Sequence, residues 1–161
     1  MELGLKDKVA LISGASRGIG AASAKAGCRE VSMGFESGSE KILAKMNKKY
    51  LPTDVRQISE RLKKIGIGSM GFLLFGGPDE TKETTIESLE FADSLELEAM
   101  KITIGIRIYP HTSLQKTAIK EGLITAGDNL LIPKFYIAKG LEGSLRETVK
   151  AWMETRPHWV M

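Results

Sequence analysis

The stretch Met100-Lys101-Ile102-Thr103-Ile104-Gly105-Ile106-Arg107-Ile108-Tyr109 alternates apolar and polar residues along its length. A hydrophobic period of two residues predicts a β-strand with one face in the core, and Pro110 ends it. The other face is polar and carries Lys101, Thr103 and Arg107. Such a strand suits the wall of a barrel whose lumen is polar and holds a ligand.

Three apolar runs precede this strand, and helical patterns separate the runs. We predict strands at residues 8–12, 30–35, 69–75 and 100–109, with helices ending near 26, 46, 65, 95, 122 and 157. The last helix opens on a capping box formed by Ser144 and Glu147. Four βα units in series predict an α/β fold, a four-stranded parallel sheet with a C-terminal helix, in one domain of residues 1–161. Residues 9–12 are apolar on both faces, so a half-barrel and a Rossmann-like open sheet both remain possible.

Composition excludes several classes of protein. The 161 residues include 23 Lys and Arg against 20 Asp and Glu, and these charges are intermixed, which argues against a nucleic-acid partner. Cys28 is the single cysteine, so the chain has no disulfide framework, no multi-cysteine zinc site and no set of cysteine ligands for an iron–sulfur cluster. No apolar run reaches 18 residues, and the start is unlike a signal peptide. We expect a cytoplasmic protein without a membrane partner.

A glycine-rich turn follows the first predicted strand. Gly14 and Gly18 allow backbone amides to approach a pyrophosphate, and Gly20 allows close packing of helix on strand. With the preceding strand, this segment resembles the opening of the short-chain dehydrogenase/reductase family. The resemblance implies NADP binding by Gly14, Ser16, Arg17, Gly18, Ile19 and Gly20, with Arg17 at the 2′-phosphate. It ends near Gly27, because the catalytic Ser and the Tyr-x-x-x-Lys pair of that family are absent.

From about residue 26 onward the chain resembles a different family. Residues 27–40, 70–81, 101–112 and 145–160 are similar to the C-terminal half of the cobalamin-dependent radical SAM proteins. The resemblance implies S-adenosylmethionine as a ligand. It places Glu36, Ser37 and Gly38 at the ribose and amino-acid end, Gly76 and Gly77 near the adenine, and Arg107 in the lumen. Asp79 and His111 depart from the pattern, which has glycine at both positions.

The defining motifs of that second family are also missing. The chain has no Cys-x-x-x-Cys-x-x-Cys and no Asp-x-His-x-x-Gly, so we expect no iron–sulfur cluster and no cobalamin. Two incomplete families joined near residue 27 favour a chimera, engineered or selected for folding. Its parts would be residues 1–27, 28–124 and 125–161. A natural truncated or misannotated gene is the alternative.

This interpretation predicts a scaffold without evolved catalytic activity, and no catalytic or metal-binding residue is assigned. The alternatives are a module binding NADP or S-adenosylmethionine and a remnant of an oxidoreductase or radical SAM enzyme. We also expect a homodimer, because a half-barrel leaves unpaired strand edges and an open polar face. A monomer would result if residues 125–161 fold back over the sheet.

Overall fold

The main sheet consists of parallel strands that follow one another along the chain. The computed structural model describes residue 27 and residues 29–161. The strand order is β1 (Glu30–Glu36), β2 (Gly68–Phe75), β3 (Ala99–Ile104) and β6 (Trp159–Val160), and all pairs are parallel. The predicted α/β class and four-stranded parallel sheet are confirmed. Of the four predicted strands, the one at residues 8–12 lies outside the described residues, and β6 is the fourth strand observed.

Five helices connect the strands of the described part. They are α1 (Glu40–Lys45), α2 (Pro52–Lys64), α3 (Lys82–Asp93), α4 (Ser113–Lys120) and α5 (Leu145–Met153). Helix α3 begins where Thr81 and Thr84 exchange side-chain-to-backbone hydrogen bonds of 2.9 and 3.3 Å. The capping box predicted at Ser144 does not form, because Ser144 has a ψ of −25° rather than the extended backbone of an N-cap.

Alternation along the strands separates a buried face of the sheet from an open face. In β2 the side chains of Leu73 and Phe75 are buried, whereas those of Phe72 and Leu74 are half-buried. The buried face packs against helices, and the core includes Phe35, Leu73, Phe75, Leu89, Met100, Ile102, Ile108, Tyr136, Val149 and Trp159. Lys101 and Thr103 are exposed on the opposite face of β3. The polar face expected for residues 100–109 is therefore present along β3.

The continuous strand predicted for residues 100–109 is divided in two at Gly105. Gly105 has a φ of +87°, which turns the chain away from the main sheet after its N–H donates to the Phe75 carbonyl over 2.8 Å. Residues Ile106–Arg107 then form β4, which pairs antiparallel with β5 (Phe135–Tyr136). Period-two patterning is the same on both sides of such a turn, so the alternation could not reveal the break.

The C-terminal segment lies beside the sheet. Strand β6 adds to the edge of β3, with Trp159 opposite Met100, and Trp159 is buried. Within the described residues, no helix is both long enough and apolar enough to cross a bilayer.

Candidate functional site

Three loops meet at the carboxyl ends of β1, β2 and β3, where open parallel sheets bind ligands. They are residues 36–39 after β1, residues 76–81 after β2 and Gly105 after β3. The structure thus brings together, at one end of the sheet, the site residues predicted at 36–38, 76–77 and 107. The predicted residues Gly14, Ser16, Arg17, Gly18, Ile19 and Gly20 lie outside the described residues.

At the centre of this end of the sheet, the backbones of three loop residues pack against one another. A Cβ atom on Gly76 would lie 3.4 Å from the Gly105 nitrogen and 3.5 Å from the Ile137 Cα. The Ala138 N–H donates to the Gly76 carbonyl over 3.0 Å, which fixes the segment after β5 against the loop after β2. Gly76 also has a φ of +96°, so a side chain there would be strained as well as crowded. We call Gly76, Gly105 and Ile137 the backbone cradle.

Glu80 holds the Gly76–Gly77 loop from beneath. Its Oε2 accepts hydrogen bonds from the backbone N–H groups of Gly76 and Gly77, while its Oε1 is buried without a hydrogen-bond partner. Glu80 is 3 % exposed, and this burial raises the pKa of its carboxyl to about 7, although the two N–H donors oppose the shift. Glu80 was not among the site residues predicted from the sequence. An acidic residue three positions after a Gly-Gly pair and just before an N-cap threonine was the available signal.

Glu36 is fixed at the end of β1 by a lysine. It has a φ of +62°, and its Oε1 lies 3.0 Å from the Lys48 Nζ. Tyr50 lies beside this pair and donates from its hydroxyl to the Gly34 carbonyl over 3.3 Å. Burial, together with the Glu36 charge, raises the pKa of Tyr50 to about 12, so the hydroxyl stays protonated. The result is a partly exposed carboxylate of defined position at the end of β1, which pairs with β2.

The next two predicted residues contact helix α3. Ser37 is fully buried, and its Oγ lies 2.8 Å from the Ser88 Oγ, which also accepts from the Gly38 N–H over 3.0 Å. A Cβ on Gly38 would lie only 2.5 Å from the Phe91 Cβ. The small residues at 37 and 38 therefore let the loop after β1 pack directly on the helix.

The two positions at which the second resemblance failed both lie in turns. Asp79 has a φ of +63°, and its carboxylate forms a 2.7 Å ion pair with Lys45. His111 also has a φ of +63°, and its backbone N–H donates to the Gln115 Oε1 over 2.8 Å. Both therefore adopt a backbone conformation for which glycine is the favoured residue.

Arg107 lies just beyond the cradle. Its guanidinium carbon is 4.8 Å from the centre of the Tyr109 ring, and its Nε is buried without a hydrogen-bond partner. Farther down the open face, a cleft of about 400 Å³ is lined by Lys101, Ile102, Thr103, Ile104, Arg146 and Met161. That cleft follows β3 and β6 and does not include the loop residues of the cradle.

Comparison with known proteins places this geometry in a family. The model of the Radical SAM superfamily matches residues 9–92. An uncharacterized methyltransferase of Pyrococcus horikoshii, PH0819, is 34% identical over 98 residues, which are 61% of this chain and 21% of that protein.

Two solved structures of the radical S-adenosylmethionine methyltransferase TsrM from Kitasatospora setae are similar in fold. The form with cobalamin and a [4Fe-4S] cluster gives a TM-score of 0.69 at 19% identity, and the form with tryptophan and a SAM analogue gives 0.66 at 20%. Each match covers 86% of this chain and 34% of TsrM. The chain therefore spans about a fifth of the curated relative and a third of TsrM.

The predicted chimera is wrong. The family match runs through residue 27 without interruption and includes the glycine turn attributed to a dehydrogenase. A strand followed by a glycine-rich turn and a helix is a common βα solution, so its local pattern was not specific to one family. The NADP prediction loses its basis, and the expectation of an engineered or selected scaffold without evolved activity is overturned as well.

The expected absence of an iron–sulfur cluster and cobalamin is corrected by the same findings. The superfamily model matches the chain, and the similar structure of TsrM contains both groups. The described residues of this chain nevertheless do not fit a cluster. They include no cysteine, and no three of their His, Asp or Glu side chains are grouped to hold a metal ion.

The missing cysteine motif did not decide the family, because the family model matches residues 9–92, which contain a single cysteine. The cradle, by contrast, contains two glycines at the sheet end where such folds bind nucleotides. With a family model matching more than half of its residues, the chain belongs to the Radical SAM superfamily.

Proposed function

We propose that this chain forms the S-adenosylmethionine-binding part of a radical SAM methyltransferase. The family match, the methyltransferase relative and the fold shared with TsrM support this assignment. Bound S-adenosylmethionine supplies the methyl group for such a reaction. The residues of this chain bind and orient that ligand.

The backbone cradle is the observation that carries the proposal. A Cβ on Gly76 would lie 3.4 Å from the Gly105 nitrogen and 3.5 Å from the Ile137 Cα, and a Cβ on Gly105 would lie 3.2 Å from the Phe135 Cβ, so only glycine fits at both positions. A flat heterocycle such as adenine packs well against a glycine surface. The N–H and C=O groups of Gly76 and the N–H of Gly105 are bonded within the protein and hold that surface rigid. Glu80 keeps this loop in place by binding the N–H groups of Gly76 and Gly77.

Glu36 supplies the charge that the other end of the ligand requires. Its carboxylate is partly exposed and anchored by Lys48, so it is preorganised to accept hydrogen bonds. Ribose hydroxyls and the α-ammonium group of S-adenosylmethionine are both donors of the right chemistry. The ion pair with Lys48 leaves the second carboxylate oxygen available for them.

Cluster chemistry requires ligands beyond those of this chain. A [4Fe-4S] cluster is held by several cysteine thiolates, and the chain has one cysteine. We assign the remaining thiolates to polypeptide that this chain does not contain.

Binding of S-adenosylmethionine to the full chain, measured by isothermal titration calorimetry, tests the proposal. A Cβ at Gly77 would lie 3.1 Å from the Met46 Cε and 3.4 Å from the Ile106 Cδ1, so Gly77→Ala displaces the loop that carries Gly76 with little backbone strain. We expect Gly77→Ala and Glu36→Gln each to weaken binding by roughly tenfold, about 1.4 kcal/mol. Gly127→Ala is the control, because a Cβ there meets nothing within 4 Å. Absence of binding at millimolar ligand, or equal affinity in all variants, would disprove the assignment.

The homodimer and the cytoplasmic location remain predictions. The homodimer rests on the sheet edge, because among the described strands β1 is an outermost one and a strand edge can recruit a second copy of the chain. Light scattering after size exclusion tests the homodimer, and a mass near 17.6 kDa would show a monomer.

A further inference from the structure

Arg107 is a cation without an anion. The Arg107 side chain forms no ion pair and no hydrogen bond with the described residues, and its Nε is buried without a partner. Burying such a donor is unfavourable unless a partner arrives, and a guanidinium presents a planar fork that matches a carboxylate. The arrangement is that of a receptor for an anionic group.

One aromatic ring contacts this guanidinium, and a second aromatic residue lies on the paired strand. Tyr109 stacks beneath it at 4.8 Å, and Phe135 lies opposite Arg107 in the β4–β5 pair. Tyr109 is 53 % exposed and Phe135 is 57 % exposed, so both side chains are accessible to a ligand. Stacking on a ring leaves the N–H edge of the guanidinium free, so the rings offer apolar surface while Arg107 offers donors.

This surface adjoins the backbone cradle. A Cβ on Gly105 would lie 3.2 Å from the Phe135 Cβ, so Phe135 covers one wall of the cradle. Arg107 follows Gly105 by two residues in the chain. A ligand held by Arg107 therefore lies beside a ligand held in the cradle.

We propose that Arg107, Tyr109 and Phe135 form the subsite for the carboxylate and ring of an aromatic acid substrate. The inference rests on the proposed function, because it places the methyl acceptor next to S-adenosylmethionine. The alternative anion is the carboxylate of S-adenosylmethionine itself. The two exposed rings favour the aromatic acid, since the methionyl chain has no ring to stack on them.

The test compares two ligands on the full chain. Indole-3-propionate and its uncharged amide probe the subsite, each with and without saturating S-adenosylmethionine, and S-adenosylmethionine alone probes the cradle. We expect Arg107→Gln to weaken indole-3-propionate binding by roughly ten- to a hundredfold while leaving the amide and S-adenosylmethionine unaffected. Arg107→Lys keeps the charge but loses the fork, so it should weaken binding less. Lys101→Gln, an exposed cation on the open face of β3, is the matched control.

The outcomes separate the inference from the proposed function. If Arg107→Gln weakens S-adenosylmethionine and leaves indole-3-propionate unchanged, Arg107 belongs to the cradle and the inference is wrong. Equal affinity for the acid and its amide in the wild-type protein, or no binding of the acid in either condition, also overturns it. Binding of the acid through Arg107 without any binding of S-adenosylmethionine would uphold the subsite and reject the proposed function. Thermal melting confirms that each variant is folded.

Discussion

Arg156 binds Asp93 through two parallel hydrogen bonds of 2.7 Å, from Nε to Oδ1 and from Nη2 to Oδ2. The same guanidinium lies 4.6 Å from the Trp152 ring centre and 5.7 Å from that of Trp159. It also donates from Nη1 to the Trp152 carbonyl over 2.8 Å. One side chain thus attaches the segment that carries β6 to helix α3.

We expect this pair to contribute more to stability than an ordinary surface ion pair. A double-mutant cycle of Arg156→Ala and Asp93→Ala should give a coupling free energy of about 1–2 kcal/mol, because the contact is bidentate and stacked. The exposed Lys63–Glu96 pair, joined by one 2.5 Å contact, is the control and should give less than about 1 kcal/mol. Urea denaturation measures both. An equal coupling free energy for the two pairs would show that the Arg156–Asp93 contact contributes no more than an ordinary surface ion pair.

The Glu80 carboxyl makes the stability of the protein depend on pH. Its pKa is about 7 in the folded protein against 4.5 unperturbed, so between these values the folded state holds a proton that the unfolded state has lost. The free energy of unfolding therefore falls as pH rises from about 4.5 through about 7, by on the order of 3 kcal/mol. Glu80→Gln carries no titrating group and should lose this part of the pH dependence.

Urea denaturation at about pH 5 and about pH 8 checks this sign. The stability of Glu80→Gln relative to wild type should rise with pH over that interval. Glu60→Gln, on the exposed face of α2, is the control and should leave the profile unchanged. If the free energy of unfolding depends on pH in the same way in Glu80→Gln and in the wild type, then Glu80 is ionised at both pH values.

Much of the fold follows from patterns within single elements. The strands β1 and β2 lie within one residue of their predicted bounds, because their apolar runs are bounded by glycine and charged residues. Two features of the fold were not predicted from the sequence. The break at Gly105 depends on pairing with a strand 30 residues away, and β6 consists of two residues, too few to show a period. Both are set by tertiary contacts rather than local sequence.

The candidate site likewise contains some features that were predicted from the sequence and others that depend on packing. The loops at 36–38 and 76–77 were predicted from the resemblance of residues 27–40 and 70–81 to the cobalamin-dependent radical SAM proteins. The role of Glu80 was not found, since its burial and its bonds to Gly76 and Gly77 depend on packing. The family of the first 27 residues was misassigned because a glycine turn after a strand satisfies the same local geometry in different folds.

A core glycine provides a test of packing. A Cβ on Gly71 would approach the Met100 Sδ and lie 2.7 Å from the Leu97 Cδ1 and 2.8 Å from the Phe35 Cε1. We expect Gly71→Ala to lower the free energy of unfolding by about 1–3 kcal/mol, because three core side chains must move. Gly143→Ala is the control, since its Cβ would meet nothing within 4 Å. If both variants have the same free energy of unfolding, the core accommodates the added methyl group at Gly71 without loss of stability.

The contact between the loop after β1 and helix α3 depends on one hydroxyl. Ser88 Oγ donates to the Thr84 carbonyl over 2.9 Å, accepts from the Gly38 N–H and lies 2.8 Å from the Ser37 Oγ. Ser88→Ala leaves the Gly38 N–H and the fully buried Ser37 hydroxyl without this partner, so we expect a loss of about 1–3 kcal/mol in stability. Because the loop carries Glu36, S-adenosylmethionine binding should weaken too. Ser113→Ala, at the exposed start of α4, is the control. Unchanged urea denaturation in Ser88→Ala would mean that a water molecule replaces the hydroxyl.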